Sequence, residues 1–120
     1  MIDKRKDSRA KHSLAVTYLY AWDDLKISSQ SIDISPGGIR LPVRRRLEPG
    51  TVLELEIHWH LFFDPIKITG KVAWVRERNS DHFPFELGVQ FLEIHADDLE
   101  TIRRICYDQS LELAYIEWLG

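Results

Sequence analysis

The chain has 120 residues, enough for one hydrophobic core and too few for two. Hydrophobic residues make up 44% and charged residues 29%, the balance of a globular domain, which excludes a disordered chain and a membrane bundle. A net charge of −3 argues against a general nucleic-acid binder, yet residues 1–46 carry ten Lys/Arg against five Asp/Glu and residues 47–120 carry six against fourteen. A basic half on an acidic protein points to one local anion site.

The chain opens with MIDKRKDSRAKH, charged where a secretory signal needs an apolar stretch. No later run approaches the roughly 20 apolar residues that cross a bilayer, so a cytoplasmic location is expected. Residues 1–12 are too polar to bury themselves and are expected to be a flexible ligand-binding segment that gains order only against an anion. Period-2 alternation rich in β-branched and aromatic residues follows in six runs: 14–22, 25–34, 38–43, 51–60, 66–77 and 85–94. The turn-formers WDD, SPGG, EPG, DP and NSDHFP divide them. Six antiparallel strands with no helix between them predict a mainly β fold, a small barrel or sandwich over 13–95.

From Ala96 the period changes. Leu99, Ile102, Ile105 and Cys106 share one helical face, with acidic residues in the first turn and arginines later, as the helix dipole favours. A C-terminal helical segment is expected over 96–120, with SLELAYIEWLG continuing it as a further turn or short helix.

Two stretches are too polar and irregular to be core. In SPGG, Pro36 presets φ for a tight turn and Gly37 permits positive φ at the next position. Asp33 and Ser35, spaced i and i+2, project to the same side of an extended chain, and Gly38 allows a ligand close to the backbone. In RKDSR, Arg5 and Arg9 each offer a flat fork that pairs with phosphate, reads the O6 and N7 edge of guanine or stacks on a base. Taken together, R-x-x-x-R before the first strand and D-x-S-x-x-G after the second resemble the paired signature of PilZ domains, with every position filled. LGVQF (87–91) and the helix after it extend the resemblance over most of the chain.

That resemblance implies a six-stranded antiparallel β-barrel that binds cyclic di-GMP and passes the signal to motility, adhesion or exopolysaccharide machinery. It implies that Arg5 and Arg9 hold phosphate and guanine, that the Asp33 carboxylate accepts from guanine N1 and N2, and that Ser35 and Gly38 complete the site. Lys4 occupies a position that in PilZ proteins influences whether one ligand or a stacked pair is held, which favours two nucleotides per chain. A stand-alone receptor of this kind implies a separate protein partner.

Other features point to no further chemistry. His58 and His60 flank Trp59, but no third ligand stands at metal-binding spacing. Cys106, the only cysteine, sits on the apolar helix face and reads as a buried thiol. Trp22, Trp59, Trp74 and Trp118 read as core or rim aromatics. Without a nucleophile elbow, P-loop or paired carboxylates, no enzyme and no cofactor beyond the ligand are expected. Arg44, Arg45 and Arg46 suit a solvated loop, extra phosphate contacts or a partner surface. Phe62 and Phe63 suit barrel closure or a partner site. Two other functions fit the composition: a PilZ-like interaction module without nucleotide, which the filled motif opposes, and a small-barrel binder of single-stranded nucleic acid, which the acidic second half opposes.

Overall fold

Alternating sequence produces strands wherever one face can be buried, and the computed structural model, which describes residues 14–20, 25–59 and 64–107, contains seven of them. They are β1 (Ala15–Tyr20), β2 (Ile27–Gln30), β3 (Asp33–Ser35), β4 (Gly38–Val43), β5 (Val52–His58), β6 (Ile66–Glu77) and β7 (Phe85–Glu93), followed by helix α1 (Ala96–Tyr107). All neighbours pair antiparallel in the order β2-β1-β5-β6-β7-β4-β3.

The expected count of six strands is corrected to seven, because the run 25–34 divides at Ser31 and Ile32. The backbone changes partner there: Ser31 N donates to Leu14 O on the β1 side and Ile32 N donates to Arg40 O on β4, both at 2.9 Å. Serines support the bend, with Ser31 Oγ accepting from Leu14 N at 2.9 Å and Ser29 Oγ donating to Pro42 O at 2.7 Å. Since β2 and β3 stand at opposite ends of the strand order, this joint draws the two ends of the curled sheet together.

The concave side holds the core. Val16, Tyr18 and Tyr20 of β1, Leu53, Leu55 and Ile57 of β5, and Ile39, Leu41 and Val43 of β4 are all buried, as period-2 alternation requires. Each such side chain contributes about 1.5 to 3 kcal/mol of burial. Ile102, Ile105 and Cys106 of α1 join this cluster, and the Cys106 thiol donates to Ile34 O at 3.4 Å. The helix thus packs behind β3, the strand that carries Asp33 and Ser35.

The turn residues behave differently from one another. Pro36 and Gly37 link β3 to β4, but neither SPGG glycine takes positive φ; among the described residues that conformation belongs to Gly50, at 94°. There Thr51 N donates to Glu48 O at 3.1 Å, closing the EPG turn.

Candidate functional site

Strict alternation along IKITGKVAWVRE would send Trp74 inward beside Val72. A β-bulge prevents this: Val72 lies opposite Val89, but Trp74 lies opposite Gly88, so Ala73 is the extra residue. Ala73 and Trp74 both face outward, and Val75 returns to the core. Gly88 makes room for the result, since a Cβ there would run into the Nε1, Cε2 and Cζ2 atoms of the indole.

Asp33 of β3, Arg40 of β4, Gly88 of β7 and Trp74 of β6 therefore form one row across four adjacent strands. Ser35, Gly38 and Gln90 form the next row. Both rows line an open cleft of about 730 Å³ on the outer surface of the sheet. That volume falls in the range of small-molecule sites.

The charges in the row are tightly organised. Arg40 places Nη2 at 2.5 Å and Nε at 2.8 Å from Asp33 Oδ2, and its Nη1 donates to Glu86 Oε2 at 3.3 Å. Glu86 also meets Arg76 Nη2 at 2.7 Å and Arg78 Nε at 3.9 Å. Asp33 and Glu86 are only 2% and 4% exposed, so burying either carboxylate without such a partner would be costly. The hydrogen bond to Asp33 raises the Arg40 pKa above its ordinary value, and the Asp33 and Glu86 charges act in the same direction against burial. Trp74 stays 38% exposed, with the Arg76 guanidinium 5.3 Å from its ring centroid.

Of the residues singled out from sequence, Asp33, Ser35 and Gly38 come together at the cleft. Gly38 has a reason beyond ligand approach: a Cβ there would collide with the Val89 carbonyl oxygen, so β4 could not lie against β7. Ser35 Oγ donates to Gly38 O at 3.4 Å. Lys4, Arg5 and Arg9 lie outside the described residues, as do Trp22, His60, Phe62, Phe63, Trp118 and the stretch 110–120. Arg44, Arg45 and Arg46 are exposed and do not line the cleft; Arg44 lies 5.6 Å from the Phe83 ring centroid and Arg46 pairs with Glu48 at 3.1 Å. Sequence reading missed Arg40, Trp74, Arg76 and Glu86. Arg40 was within reach, because it follows Gly38 by two residues and so shares its face. Trp74 was not, because the bulge hides its direction.

The family model described as PilZ domain matches residues 3–108. No curated protein sequence matches the chain. Among solved structures, the chain is similar to the Bacillus subtilis inhibitor of motility MotI (DgrA), with TM-score 0.75 and 21% identity over 92% of this chain and 53% of that one. It is similar to the PilZ domain of YcgR from Escherichia coli with c-di-GMP, with TM-score 0.68 and 15% identity over 96% of this chain and 98% of that one. It is also similar to the K. pneumonia MrkH-c-di-GMP complex, with TM-score 0.67 and 22% identity over 96% of this chain and 56% of that one. The chain thus spans about half the length of MotI and of MrkH.

Proposed function

The chain belongs to the PilZ domain family, and on that premise we propose that it is a bacterial cyclic di-GMP receptor that acts in the cytoplasm as a binding module, not a catalyst. The observation that carries this reading is the convergence of Asp33, Ser35 and Gly38 on one outer cleft, beside an arginine and a half-exposed tryptophan. Asp33 is an acceptor held in place by Arg40, suited to the N1–H and N2–H edge of guanine. Trp74 offers an apolar flat surface on which a base can stack. The two phosphates of the ligand need cations, and in the family motif Arg5 and Arg9 supply them, with Lys4 placed to reach a second nucleotide. Binding then orders the N-terminal segment over the cleft, and the new surface of protein and nucleotide is read by a partner of the motility, adhesion or exopolysaccharide kind.

Isothermal titration with cyclic di-GMP, GMP and a single-stranded oligonucleotide tests this reading. We expect cyclic di-GMP to bind at micromolar affinity or tighter, about −8 kcal/mol or better, and GMP far more weakly. Neither heat nor a thermal shift at about 100 μM cyclic di-GMP would leave an interaction module without nucleotide; tighter binding of the oligonucleotide would favour a nucleic-acid binder.

A further inference from the structure

The row that ends at Trp74 continues into a cation that neither half of the motif contains. Arg76 stands two residues beyond Trp74 and faces outward on the same side of β6. Its register partner on β7 is Glu86, whose buried carboxylate meets Arg76 Nη2 at 2.7 Å. Glu86 is fixed in turn by Arg40, which also holds Asp33, so a single chain of ion pairs runs from Asp33 to the guanidinium beside the indole. Despite this anchorage the Arg76 side chain is 59% exposed, and its guanidinium lies 5.3 Å from the Trp74 ring centroid.

We propose that Arg76, with Trp74 beneath it, is a second recognition point for a dinucleotide: a flat cation that stacks on the guanine lying farthest from Asp33. This rests on the cyclic di-GMP reading of the cleft. The geometry behind it is a matter of span. Asp33 and Trp74 are separated by three inter-strand steps of about 4.8 Å, about 14 Å in all. One base cannot touch both ends of that row, whereas two bases joined through two sugar–phosphate units can. Asp33 suits the edge of a guanine and offers no surface for its face. Trp74 and Arg76 offer the reverse, a flat surface that is apolar on one layer and cationic on the next. The Glu86 contact holds the guanidinium beside the ring before a ligand arrives, which reduces the ordering needed on binding.

The inference makes Arg76 a determinant of dinucleotide over mononucleotide. Titrations of the parent chain, Arg76→Ala and Arg76→Lys with cyclic di-GMP and with GMP test it, alongside a melting curve for each variant. Arg76→Ala should lose about tenfold in cyclic di-GMP affinity while its GMP affinity stays within about twofold of the parent. Arg76→Lys, which keeps the charge but not the plane, should recover less than half of that loss on a logarithmic scale. Arg76→Ala takes the 2.7 Å partner from the buried Glu86 carboxylate and should lower the melting temperature, so the titrations are run well below the midpoint of every variant. A parent that binds cyclic di-GMP and an Arg76→Ala variant that binds it equally well would overturn the inference alone. Full recovery by lysine would also overturn it, reducing Arg76 to a point charge. A parent that binds no cyclic di-GMP would overturn the reading of the cleft and this inference with it.

Discussion

Arg40 stands between two carboxylates that burial alone would make very costly, and its loss should be felt in stability before it is felt in binding. Arg40→Ala removes the two guanidinium contacts to Asp33 Oδ2 and one of the three arginines that, among the described residues, meet Glu86. Breaking a buried pair from one side costs about 3 to 5 kcal/mol, and urea unfolding should register a loss of that order. Arg40→Lys should restore only part, since one ammonium cannot reach both carboxylates with the geometry of a guanidinium fork. Tyr18 supplies a second test at this scale. Burial, with a smaller effect of Tyr20, pushes its phenol up to about 12, against about 10 in an unfolded chain. Below about pH 10 the phenol is neutral in both states and its contribution is complete; as pH rises from about 10 to about 12 the unfolded chain ionises first and stability falls. Two pKa units correspond to about 3 kcal/mol. Urea midpoints measured at stepped alkaline pH should show Tyr18→Phe losing less stability than the parent across that window.

At the scale of elements, the bulge in β6 and the helix behind β3 position the site from two sides. Gly88→Ala would drive a methyl group into the Trp74 indole, which must then move off the row. Overpacking of this kind costs about 1 to 3 kcal/mol, and because the indole leads outward, the variant should stay folded but bind cyclic di-GMP more weakly, read by calorimetry beside circular dichroism. Ile102 is fully buried in the core at the helix end of the molecule. Ile102→Ala should cost about 2 to 5 kcal/mol in urea unfolding, with a cavity opened behind Ile34 and its neighbours Asp33 and Ser35. These elements also mark how far the fold is legible in the sequence. β1 and β5 follow from alternation, because each buries one face and leaves the other more open to solvent, whereas β4 and β7 are covered on both faces over much of their length. The helix follows from the change of period at Ala96. The division of 25–34 into two strands is not legible, since it depends on β1 and β4 lying on either side of Ser31 and Ile32. The bulge at Ala73 is equally hidden, because the alternation continues through it with a plausible inward tryptophan.

For the molecule as a whole, the question is how a cleft built partly around buried carboxylates can hold a ligand with two phosphates. Asp33, Ser35 and Gly38 were legible because turn chemistry and i, i+2 spacing place them together. Arg40 is engaged with both Asp33 and Glu86, and Arg76 and Arg78 with Glu86, so most of the positive charge near the described row is already paired with a buried carboxylate. The excess of cations lies instead in the first 46 residues, ten against five, and Arg5 and Arg9 stand there in the spacing the family uses. The two halves of the motif are therefore expected to divide the work, with the cleft recognising bases and the N-terminal pair neutralising phosphate. Each charge-assisted hydrogen bond contributes about 1.5 to 3 kcal/mol. Arg5→Ala and Arg9→Ala should thus each weaken cyclic di-GMP binding tenfold or more in calorimetry. Asp33→Ala should weaken it as well, but with some loss of fold stability, because it also removes one of the two carboxylates that Arg40 holds. The thermal midpoints of the two arginine variants without ligand should match the parent, as both positions precede β1 and lie outside the predicted core. Hydrogen exchange across residues 2–12 supplies the matching structural readout. Added cyclic di-GMP should slow exchange in the parent and leave it unchanged in the double variant; equal exchange with and without nucleotide in the parent would remove the N-terminal segment from the switch.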